Sequence, residues 1–72
     1  MKKKIFNLLV EEFTIKELRV FCQNNAKFKR VLTKLPENAS LEGIALKLLD
    51  FAERQMLMAD LITWINSSRP AL

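Results

Sequence analysis

The chain has 72 residues, half of them apolar, with one Cys, no His, one Gly, two Pro and a formal net charge of +4. Such a length holds one domain, whose single core supplies about 3 to 5 kcal/mol of net stability, so every apolar face has to be used. The inventory excludes a disulfide framework, a thiolate or imidazole metal cluster and His-dependent acid–base chemistry, while the scarcity of Gly and Pro favours long helices with short connections.

The opening MKKKIFNLLVEEF sets basic residues before an apolar run, but Glu11 and Glu12 interrupt that run after Ile5 to Val10. It is too short and too charged for a signal peptide or a membrane span. A first helix over residues 2–12 is predicted, with Ile5, Leu8 and Leu9 on one stripe, Phe6 beside them, and Glu11 and Glu12 unfavourably near the negative end of the dipole.

At FTIKELRVFC the chain starts again. Thr14 precedes Glu17 by three residues, the spacing of a capping box, and Phe13 and Leu18 hold the two positions of a hydrophobic staple. A second helix over residues 15–25 follows, with Leu18, Phe21 and Cys22 on one face and Asn24-Asn25 as its stop; it is expected to pack on the first as a hairpin. Cys22 reads as a small buried thiol, and a lone cysteine fits a reducing, cytoplasmic compartment.

A short third helix, residues 26–34, turns Phe28, Val31, Leu32 and Leu35 inward and is ended by Pro36. Lys27, Lys29, Arg30 and Lys34 place four cations within eight residues. Ser40 is a good N-cap for a fourth, central helix, with Glu42 in its first turn and Leu41, Ile44, Ala45, Leu48, Leu49 and Ala52 at helical spacing. The last helix, residues 57–67, offers Leu61, Ile62 and Ile65 to the core and leaves Met56, Leu57 or Trp64 partly outside. Whether the fourth and fifth helices are separate or one bent helix near Met56 is left open. Five helices fit, and a sixth has room at the joints.

Catalysis has little to work with: Glu11, Glu12, Glu53 and Asp60 have no neighbouring His, second Cys or Gly-rich loop, and read as solvated helix faces. No enzyme activity, cofactor, metal or small-molecule substrate is expected. The charge is polarised, since residues 1–36 hold nine basic and three acidic residues (+6) and residues 37–72 hold three basic and five acidic (−2). That suits docking between protein surfaces, with Lys27, Lys29, Arg30 and Lys34 on one side, Asp50, Glu53 and Asp60 on the other, and Trp64 as an anchor. The alternative is a small helical bundle that binds nucleic acid through the cations from Lys27 to Lys34. In a recognition helix opened by Thr14, however, Glu17 would face phosphate. Membrane contact through Lys2, Lys3 and Lys4 is opposed by Glu11 and Glu12.

The order of these features resembles the effector-associated, death-like adaptor domains found at the ends of bacterial NACHT-type NTPases, caspase-like proteases and related conflict-system proteins. The likeness rests on Phe13, Glu17, Leu18 and Cys22 in an F-x3-E-L-x3-C arrangement, on Leu35-Pro36 followed by Ser40, on LLDFAER at residues 48–54, and on Arg69-Pro70. It departs at Gln55-Met56, where many such domains have Gly. The resemblance implies an all-α, compact antiparallel bundle of five or six short helices, death-fold-like, spanning residues 1–72 with a linker beginning at 67–72. It implies a non-enzymatic module at the N-terminus of a longer bacterial defence protein, binding a like module and linking sensor to effector.

Overall fold

The computed structural model describes residues 2–68 and contains five α-helices: α1 (Lys2–Glu12), α2 (Ile15–Asn24), α3 (Lys29–Thr33), α4 (Leu41–Arg54) and α5 (Met58–Ser68). A 3-10 turn, Ala26–Phe28, stands before α3, so the expected third helix is two pieces. No strand occurs among the described residues, and the fold is an all-α bundle. The linker expected from residue 67 does not begin there, since Ser67 and Ser68 close α5; Arg69-Pro70 and the rest of that linker lie outside the described residues.

Local chemistry accounts for most of the boundaries. Thr14 Oγ1 accepts the Glu17 backbone N–H at 3.2 Å and Glu17 Oε1 accepts that of Thr14 at 2.9 Å, which completes the capping box. Phe13 and Leu18, the staple pair, are both buried. Asn25 Oδ1 accepts the Lys27 N–H at 3.1 Å and starts the 3-10 turn. Ser40 Oγ accepts the Gly43 N–H at 3.0 Å at the head of α4.

The end of α4 breaks an ordinary rule. The Leu57 N–H reaches back to the Ala52 carbonyl at 2.7 Å and the Met56 N–H to that of Glu53 at 3.4 Å, the two bonds of a Schellman motif. Such a motif needs a left-handed residue after the cap, and Met56 supplies it with φ 58. The only glycine, Gly43, sits instead in the first turn of α4. So α4 and α5 are separate helices, joined by a sharp turn made without glycine.

The core is one cluster with α4 at its centre: Ile44, Ala45, Leu48, Leu49 and Ala52 are all 0 % exposed. Every other element packs on α4. One expectation fails: α1 does not pair with α2 as a hairpin but lays Ile5 and Leu9 principally against α4. The two-residue joint at Phe13-Thr14 turns the chain, and the apolar face of α4 is the larger one for α1 to cover. The radius of gyration, 11.0 Å, is that of a chain this long packed round a single core.

Five aromatic rings form a continuous series. Trp64 of α5 stacks on Phe13 at 4.7 Å and on Phe21 of α2 at 4.2 Å. Phe21 meets Phe28 at 4.9 Å, and Phe28 meets Phe51 of α4 at 5.9 Å. These are stacked or tilted contacts; three lie within the usual range for ring pairs and the Phe21–Trp64 stack is slightly closer.

Two substitutions check this account by urea unfolding. Thr14→Ala is expected to lower stability by about 0.5 to 2 kcal/mol. Met56→Gly is expected to raise it by about 1 kcal/mol, because the left-handed strain goes while a side chain 90 % exposed loses no packing. A fall in stability for Met56→Gly would show that the Met side chain holds the turn.

Candidate functional site

The single thiol is placed where it cannot react. Cys22 is fully buried on the inner face of α2, and burial pushes its pKa up from 9.0 to about 11 against a smaller opposing pull from the Arg19 charge. At neutral pH it is a protonated, sequestered group. Among the described residues, no group of three His, Cys, Asp or Glu side chains lies close enough to hold a metal ion, and no helix is long and apolar enough to cross a membrane.

Two concave surfaces stand out among the described residues, with no lining residue in common. The larger is a groove of about 700 Å³ between α2 and α5, with Val20, Phe21 and Trp64 along it and Lys16, Lys27 and Asp60 among its polar lining. Val20 is 40 % exposed there. Trp64 is half-buried and gripped by Phe13 and Phe21, so it is part of the wall and not a protruding anchor. The smaller is a cleft of about 240 Å³ between α3 and α4, lined by Arg30, Lys34, Lys47 and Arg54 around Val31 and Phe51, with Asp50 among them.

The fold therefore divides the cation cluster that is continuous in sequence. Lys27 Nζ pairs with Asp60 Oδ2 at 3.2 Å beside the α2/α5 groove. Arg30 and Lys34 belong to the α3/α4 cleft, and Lys29, exposed on α3, lines neither surface. The three acidic residues are also dispersed, each with a cation of its own chain. Asp50 pairs with Arg54 at 3.2 Å, Glu53 with Lys2 of α1 at 3.5 Å, and Asp60 with Lys27. All these pairs are solvent-exposed and each contributes about 0 to 1 kcal/mol, so they bias the surface without locking it. The expected single acidic face opposite a single basic one is not how these residues are grouped.

Lys47, Arg54 and Phe51 enter the site without having been singled out from sequence, although their spacing carried the signal: positions 47, 51 and 54 fall on one side of a helix. Arg19, which an outward-facing recognition helix would free for phosphate, donates from Nη2 to the carbonyls of Pro36 at 3.0 Å and Glu37 at 3.3 Å, tying the loop after α3 to α2. No protein-family model, curated protein or solved structure matches this chain.

The state of Cys22 can be checked directly. A thiol reagent at neutral pH is expected to label the folded protein no faster than it unfolds; labelling at the rate of the denatured chain would contradict burial. The unfolded thiol gives up its proton near 9.0 and the buried one near about 11. Its contribution to stability is therefore fully present below pH 9 and is lost as the pH rises through that interval.

Proposed function

We propose that this chain is a non-enzymatic adaptor module of the effector-associated, death-like kind, acting in the cytoplasm. It binds a like module in the same or another chain and so links a sensor to an effector in a bacterial defence protein. The observation that carries this reading is the α2/α5 groove: an open, aromatic-walled depression with Val20 exposed along it beside Phe21 and Trp64. The sealed thiol adds support, because the one strong nucleophile of the chain is turned into core.

A second reading, nucleic-acid binding, is favoured by one observation, the convergence of Arg30, Lys34, Lys47 and Arg54 on the α3/α4 cleft. Against it, Lys27 lies beside Asp60 on another surface and Arg19 is tied to loop carbonyls, so these cations of the described residues do not line up in one stripe along a phosphate backbone.

Sedimentation over a concentration series tests the adaptor reading. The wild-type chain is expected to self-associate with a shift in Trp64 emission, and Val20→Asp to stay monomeric with an unchanged melting temperature. Val20 is the cleaner probe, since truncating Trp64 would also remove two ring contacts from the core. A wild-type chain that is monomeric throughout, with Trp64 emission constant, contradicts homotypic assembly. A band shift of duplex DNA or RNA with steep salt dependence would favour the second reading.

A further inference from the structure

The α3/α4 cleft has a charge imbalance that the described residues do not correct. Four cations and one carboxylate line it, a surplus of three, and the carboxylate, Asp50, is held by Arg54 at 3.2 Å. Arg30, Lys34 and Lys47 have no carboxylate at ion-pair distance among the described residues. Arg30 and Lys34 also stand four residues apart at the ends of one helical turn, where like charges repel, and α3 has no acidic residue in its first turn to offset them. The exposed lining is polar for the larger part, with Val31 buried and Phe51 half-buried between the charged side chains.

We infer that this cleft is a docking site for an acidic segment of a partner protein, which seats carboxylates among Arg30, Lys34 and Lys47 and one apolar side chain against Phe51. The inference rests on the adaptor reading and adds to it a second surface and the chemistry of its partner. Charge complementarity selects the occupant: an anion relieves the repulsion among Arg30, Lys34 and Lys47, and the half-buried Phe51 ring gives one apolar contact that a phosphate backbone cannot use. Asp50 in the wall disfavours a dense polyanion, and the diversion of Lys27 to Asp60 and the outlying position of Lys29 cut the cleft off from the rest of the basic run. Asp50, Glu53 and Asp60 of a second copy are dispersed and each sits beside a cation of its own chain, so they offer the cleft no acidic run and a reduced net attraction.

The test is fluorescence anisotropy with a labelled probe peptide, Glu- and Asp-rich around a central Leu, titrated with the whole chain at low and at physiological salt. The wild type is expected to bind. Lys47→Glu and Arg30→Glu are expected to weaken binding about tenfold or more, and Lys47→Gln by less, with melting temperatures unchanged. Lys29→Glu makes the same charge change outside the cleft and is expected to weaken binding less than about twofold, as screening permits. The inference is overturned if the wild type does not bind at low salt, if Lys29→Glu weakens binding as much as Lys47→Glu, or if duplex DNA or RNA displaces the peptide more effectively than unlabelled peptide does. Val20→Asp separates the two proposals: it should leave peptide binding intact. Lost peptide binding with retained self-association would remove the cleft and leave the adaptor reading standing.

Discussion

One side of α4 has to be covered completely, and that requirement organises the molecule. Five residues of this helix are withdrawn from water altogether, and the remaining elements supply the surfaces that withdraw them. Ala45 and Ala52 let neighbours approach closely, while Ile44, Leu48 and Leu49 fill the space between them. In a chain this short no second core exists to take over, so α1 goes to α4 despite being joined to α2 by only two residues.

From that constraint the two candidate surfaces follow. The left-handed turn at Met56 sends α5 back so that Trp64 meets Phe13 and Phe21, and the space left between α2 and α5 is the groove. On another side of α4, Lys47, Phe51 and Arg54 face α3, and the space between these helices is the cationic cleft. The ring series from Trp64 through Phe21 and Phe28 to Phe51 passes through the core from one surface to the other, so both are built on the same packed wall. A rigid wall is what a docking surface needs, since little ordering then remains to be done on binding.

Features decided within a few residues could be read from the chain itself. The Thr14–Glu17 box, the Ser40 cap, the apolar stripe of α4 and the burial of Cys22 depend on spacing along one helix, and the structure has all of them. What could not be read depends on choices made across the fold. Whether α1 prefers α2 or α4 is a comparison of buried areas between distant segments. The turn at Met56 was obscured because glycine usually marks it, and here backbone bonds to Ala52 and Glu53 hold a methionine in that conformation. A single helix over residues 26–34 would make the cation cluster one patch, but the chain forms a 3-10 turn and then α3. The run is broken at Phe28, whose backbone (φ −104, ψ 2) is not helical, so Lys27 belongs to the 3-10 turn and Arg30 to α3 with Lys34 at its cap, and the three do not share one helix. Asp60, nearly half the chain away, then pairs with Lys27.

The central claim is that the fold sorts a run of like charges onto separate surfaces and leaves only one of them open to an acidic protein partner. Mapping backbone amide shifts while an acidic peptide is added tests this most directly. The account predicts movement confined to Arg30, Val31, Lys34, Lys47 and Phe51, with the amides of Lys27, Asp60 and Trp64 still. Equal movement at Lys27 and Lys29, or a diffuse response over every basic residue, would contradict it.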